Sequence, residues 1–243
     1  MTIKDLQPSK VWENFYLLTR VPRPSKHEEK VREFLLNWAK ERNIEAFTDK
    51  TGNVIMRVPA TPGYENKKGI VFQGHMDMVP QKNADTVHDF ENDPIETYVD
   101  GDWLRAKGTT LGADNGLGLA LGMAMLESKD IQHGPLELLA TYDEETGMTG
   151  AMLLEPGILK GEILINLDSE EEGELCIGCA GGLDATAYDE YQRKPMPENH
   201  LCYSLAVKGF SGGHSGIEIN KYRANANKVA ARILYSLLTK ADV

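Results

Sequence analysis

The sequence is poor in cysteine, with three in 243 residues. An odd count, behind an N-terminus (MTIKDLQPSKVWENF) with no apolar leader, argues against a disulfide-built secreted domain. It favours reduced thiols and a cytoplasmic location. No stretch approaches the ~20 apolar residues that a membrane helix needs, so no membrane partner is expected. Positive charge is also short: 26 Lys and Arg stand against 37 Asp and Glu, a formal net charge of -11. Such a surface repels phosphate backbones, which excludes nucleic acid as an expected partner. Clustered carboxylates would instead tolerate cations. There is no internal repeat and no low-complexity tract. What remains is an ordinary globular composition, 41% hydrophobic and 26% charged, long enough for one large domain or one domain and part of another.

The spacing of apolar residues predicts a helix over residues 8–19 and a second one in PSKHEEKVREFLLNWAKERN. In the second, Ser25 and Glu28 fit a capping box, and Val31, Phe34, Leu35 and Trp38 share a face. His27 falls in the polar first turn. Residues 44–48 and 53–58 predict a short strand pair around the turn Lys50-Thr51-Gly52. Three apolar runs follow, GIVFQGH, LELLATYDEE and EILINLDSEEEG, each ending in acids or histidine. A buried helix, LGLALGMAMLES, lies between the first two. Apolar strands separated by helices predict an α/β fold, a mixed and largely parallel sheet sandwiched by helices.

The polar, proline-containing YDEYQRKPMPENH reads as a boundary. It divides a first domain, residues 1–185, from a second beginning at 186. In the second, LCYSLAVKGF alternates like a strand, SGGHSG is a glycine-rich loop, and NKYRANANKVAARILYSLLTK is an amphipathic helix. Cys176 and Cys179 form one C-x-x-C with no second pair and no thioredoxin-like context. They read as small buried residues in a strand and turn.

Polar residues collect where the apolar runs stop: His75 and Asp77, Asp114, Glu144 and Glu145, and Asp168. Each has an ordinary explanation alone. A histidine can finish a strand structurally, Asp114 can cap a helix, Glu144-Glu145 can be a solvated turn, and Asp168 can cap a loop. In open α/β sheets, however, the carboxyl ends of strands lie together. Carboxylates gathered there repel one another unless divalent cations offset them. One imidazole with several carboxylates suits zinc, manganese or cobalt better than calcium. Two such ions bridged by one carboxylate can share a hydroxide. Residues i and i+2 of a strand face one side, so His75 can bind metal while Asp77 orients its ring. Of the adjacent pair Glu144 and Glu145, one can bind metal while the other takes a proton from water.

The segments GHMDMVP, GTTLGADNGLGLA, ATYDEETGMTGA, LINLDSEEEGELCIGCAGG and FSGGHSG together resemble the aminoacyl-histidine dipeptidases. These are also called peptidase D or cytosolic non-specific dipeptidases, within the di-zinc aminoacylase and carboxypeptidase group. The resemblance implies a zinc-exopeptidase-like catalytic domain (1–185) and the start of an α+β lid domain (186–243). It implies hydrolysis of Xaa-His and other dipeptides by a metal-bridged hydroxide. Two divalent ions are implied, with zinc expected and cobalt or manganese as alternatives. Metal ligands would be His75, Asp114 as the bridge, Glu145, and Asp168 beside His75. Asp77 would steady His75, Glu144 would be the general base, and His214 of the lid would polarise the substrate carbonyl, often across a homodimer. A cis peptide is implied between Asp114 and Asn115. Family members continue well past this length and supply a further histidine, so the chain is expected to be an N-terminal portion. The competing expectations are an N-acyl amino acid deacylase on the same scaffold and a non-catalytic fragment.

Overall fold

The computed structural model describes residues 2–169, 173–179, 181, 183, 185–213 and 218–240. The chain divides into two units, Met1–Cys179 and Ala180–Val243.

In the first unit, α1 (Ser9–Thr19) and α2 (Glu29–Glu41) lead into an antiparallel pair, β1 (Glu45–Thr48) and β2 (Val54–Val58). β3 (Ile70–His75) follows, then a hairpin of β4 (Thr97–Asp100) and β5 (Trp103–Ala106). α3 (Ala113–Glu127), β6 (Leu136–Thr141), two single-turn helices α4 (Glu144–Gly147) and α5 (Thr149–Met152), and β7 (Ile163–Asn166) complete it. The main sheet has the order β1-β2-β6-β3-β7. β3 runs parallel to both β6 and β7, while β2 is antiparallel to β6. This is a mixed α/β sheet with a parallel centre, flanked by helices.

The runs of β3 and β6 become central strands because both of their faces are covered, whereas β7 takes the edge beside β3 with all four residues exposed. All six residues of β6 are buried. On one face Val54, Met56, Phe72, Leu136, Leu138 and Ala140 pack against Phe15 and Leu18 of α1, Leu35 and Trp38 of α2, and Leu119 and Met123 of α3. On the other, Ile55, Val71 and Leu139 are covered by Leu154, Ile158 and Leu159. Val31 and Leu35 lie on the buried face of α2 as the periodicity predicts.

Four local expectations change. The capping box at Ser25 and Glu28 does not form: α2 starts at Glu29, Glu28 sits at its N-cap, and no side chain caps it. The Glu28 carboxylate turns inward instead. The hairpin β4–β5 is an addition. Residues 201–210 form no strand, because a strand needs a hydrogen-bonding neighbour and the described residues of the second unit offer none. Cys176 and Cys179 are exposed rather than buried, since the segment following β7 pairs with no strand among the described residues. In the second unit, the expected amphipathic helix is α6 (Ala226–Lys240).

Candidate metal centre

Three neighbouring parallel strands, β6, β3 and β7, finish at the same edge, and each delivers acids or histidine there. His75 is the last residue of β3 and is 1% exposed. Glu144 and Glu145 open α4, just beyond β6. Asp168 lies two residues beyond β7. Asp114 arrives from the first turn of α3, where Gly112 at φ 72 turns the chain into the helix. An L side chain at Gly112 would meet both that left-handed backbone and the Arg23 guanidinium at 2.6 Å. The Asp114–Asn115 peptide is cis, as the resemblance implies.

His75 is the hub. Its Nε2 is 2.8 Å from Asp114 Oδ1, 3.7 Å from Asp168 Oδ1 and 3.8 Å from Glu144 Oε2. Its Nδ1 is 3.1 Å from the Asp77 carbonyl oxygen and 3.2 Å from Asp77 Oδ1. The ring is thus turned by Asp77 so that Nε2 faces the acids. Two groups bring ligand atoms within 4.8 Å of one another: His75, Asp114 and Asp168, and His75, Glu144 and Glu145. The structure therefore assembles His75, Asp77, Asp114, Glu144, Glu145 and Asp168. His214 lies outside the described residues.

Sequence reasoning missed the supports. Asn115 donates from Nδ2 to the Leu167 carbonyl at 2.8 Å and to Asp168 Oδ1 at 2.5 Å, tying the start of α3 to the end of β7. Arg23, fully buried, donates to the carbonyls of Met76, Asp77 and Gly112. Glu144 and Glu145 donate their backbone N–H groups to the two oxygens of Asp77, at 3.0 and 3.1 Å. Nothing around Arg23 in VPRPS marks it as buried. Asp143 stood in the acidic run beside the two glutamates and could have been found there.

The electrostatics are those of carboxylates lacking a counter-charge. Burial, then the charge of Asp114, pushes Glu145 up to about 7. Burial pushes Asp168 up to about 6 against the pull of His75, with the charges of Asp114 and Glu144 adding to the rise. Glu144 is raised for the same reasons. Burial disfavours the His75 imidazolium, but hydrogen bonds to Asp114 and Asp77 overcome it and hold His75 up at about 10. Burial also works against ionised Asp77, yet the His75 and Glu144 hydrogen bonds keep it below its ordinary value. One imidazole nitrogen beside several strained carboxylates is a donor set that fits zinc-like divalent ions.

Fold and cluster define the class: an α/β chain that gathers candidate cation ligands at the carboxyl edge of its parallel strands. Residues 71–233 match peptidase family M20/M25/M40, and the chain belongs to that family. It is 49% identical over 241 residues to the cytosol non-specific dipeptidase of Escherichia coli K12, covering 99% of this chain and 50% of that one. The crystal structure of aminoacylhistidine dipeptidase from Vibrio alginolyticus matches with a TM-score of 0.74 and 50% identity, over 96% of this chain and 48% of that one. Aminopeptidase PepT from Bacillus cereus matches with a TM-score of 0.56 and 28% identity, over 67% and 43%. The chain spans about half the length of the relatives it matches.

Proposed function

We propose that this chain carries the metal-binding portion of a cytoplasmic di-metal dipeptidase acting on Xaa-His and other dipeptides. The observation that carries the reading is the convergence on His75 Nε2 of carboxylates from three separate elements, with Asp114 at 2.8 Å. Resemblance to the dipeptidases named above supports the substrate class. His75, Asp114, Glu145 and Asp168 would hold two divalent ions, zinc by preference, with Asp114 between them. Those ions would supply Lewis acidity toward the peptide carbonyl and ease the ionisation of water. Glu144 accepts the proton of the attacking water as the new C–O bond forms, and gives it to the leaving nitrogen as the C–N bond breaks. Burial raises Glu144 above the ordinary carboxylate value, which makes it a stronger proton acceptor than an exposed glutamate. Asp77 holds the His75 ring. His214 keeps the role the resemblance implies, polarising the substrate carbonyl in a homodimer; residues 1–185 are read as the catalytic domain and residues 186–243 as the start of a lid domain.

The test is metal analysis with a substrate panel. The purified protein should bind zinc, hydrolyse His-containing dipeptides, lose that activity to a chelator and regain it with Zn2+. Turnover of N-acyl amino acids alone would make it a deacylase. Dipeptide hydrolysis indifferent to chelation would overturn the reading.

A further inference from the structure

A second set of acids lies around Asp77. One oxygen each from Glu28, Asp77 and Asp143 falls within 4.8 Å of the others, and all three residues are buried. The nearby Arg23 guanidinium donates to the carbonyl oxygens of Met76, Asp77 and Gly112 rather than to these carboxylates. Three ionised groups this close, out of water, repel one another strongly, so one must hold a proton.

The hydrogen bonds identify which one. Asp77 accepts the Glu144 and Glu145 N–H groups and faces His75 Nδ1. Asp143 accepts the hydroxyls of Thr146 and Thr149 on its two oxygens. Glu28 Oε1 accepts the Asp143 N–H at 3.0 Å, but Glu28 Oε2 has no partner although the residue is 0% exposed. A buried carboxylate oxygen without a donor is costly, whereas a carboxylic acid is itself a donor, and carboxylate oxygens of Asp77 and Asp143 lie within 4.8 Å of a Glu28 oxygen. Burial and the Asp77 charge push Glu28 up to about 7, in the same direction.

We infer that Glu28 is a positioning residue kept as an un-ionised acid: Oε1 pins the Asp143 N–H while the proton on Oε2 bridges to the Asp77–Asp143 pair. Three successive backbone N–H groups, of residues 143, 144 and 145, are then held by two carboxyl groups. The clamp fixes a turn whose first residue has φ 50, and with it Glu144 and Glu145. This inference rests on the roles given to those two glutamates above.

Gln is the neutral isostere of a protonated Glu, so the test compares the parent, Glu28→Gln and Glu28→Ala, with Co2+ alone as probe. At about pH 6 the infrared difference spectrum of parent minus Glu28→Gln should show the carbonyl stretch of an un-ionised acid. Glu28→Gln should keep the Co2+ absorption spectrum and affinity of the parent. Glu28→Ala should bind Co2+ about 10–100-fold more weakly and exchange the Glu144 and Glu145 amide protons faster. Absence of the acid band, or damage by Glu28→Gln equal to that of Glu28→Ala, overturns the inference. Should Glu28→Ala fail to fold, the parent and Glu28→Gln spectra still decide it. A parent that takes up no Co2+ sinks the metal reading instead, while the infrared band and amide exchange still judge Glu28.

Discussion

At the residue scale, the site turns on Asp77, which touches no proposed metal position yet is 0% exposed. Its carboxylate meets His75 Nδ1 on one side and the Glu144 and Glu145 N–H groups on the other. Asp77→Asn keeps the shape but replaces one acceptor with a donor aimed at N–H groups. Metal affinity should fall about 10–100-fold, as for other supports of a ligand histidine, measured by competition with a chromogenic chelator. Glu144→Gln makes a different claim. The metal content should stay at the parent value while kcat falls by about 10²–10⁴-fold, with little change in KM. Wild-type turnover in that variant would remove Glu144 as the base. The i, i+2 spacing of His75 and Asp77 was readable because strand geometry is local. Glu28 was misread because the same Ser-x-x-Glu spacing serves a helix cap and, here, a buried acid, and only burial separates the two.

At the element scale, the strongest signals were the apolar runs of β3, β6 and β7 and the helical faces of α2 and α6, since each depends on short-range periodicity. Strand order was not legible. β2 lies beside β6 although 77 residues separate Val58 from Leu136 in reverse arrangement, and no local pattern encodes that pairing. The β4–β5 hairpin did leave a signal, the alternating Thr97–Asp100 followed by Gly101 at φ 60, which is a recognised hairpin cue. The strand expected at 201–210 shows the converse, since alternation without a partner yields no strand. How elements lock the site is testable at Gly74, next to His75. A Cβ there would lie 2.2 Å from Asn115 Oδ1 and 3.3 Å from Leu119 Cδ2. Asn115 holds Asp168, so the displacement would travel from β3 through α3 to the end of β7. Gly74→Ala should destabilise the fold by about 1–3 kcal/mol in denaturant titration and weaken metal binding. Gly178→Ala, where a Cβ meets nothing within 4 Å, should do neither.

At the scale of the whole molecule, a net charge of -11 and a buried knot of acids make stability depend on what neutralises them. In the metal-free protein, burial pushes Glu28 and Glu145 up to about 7 and Asp168 up to about 6, while Asp114 and Asp77 hold His75 up at about 10. All four bind protons more tightly folded than unfolded. The native state therefore carries the extra protons, and stability must fall as pH rises. The carboxyl contributions are complete near the ordinary carboxylate values and are lost as pH climbs through about 6 to 7; that of His75 is lost toward 10. Asp77, held low, acts oppositely and matters only in strong acid. A divalent cation needs the deprotonated cluster, so its binding must expel those protons and gain on them as pH rises. At a free concentration of 100 Kd it would stabilise the fold by about 2.7 kcal/mol. Thermal melts with EDTA should show Tm declining from about pH 5 to pH 8, and melts with Zn2+ should separate from them increasingly toward pH 8. Calorimetry in buffers of different ionisation enthalpy should register proton release on zinc binding at neutral pH. A metal-free Tm that rises over that range, or zinc binding that takes up protons, would mean the acids are not held protonated at this edge and that the fold does not store the tension a metal would relieve.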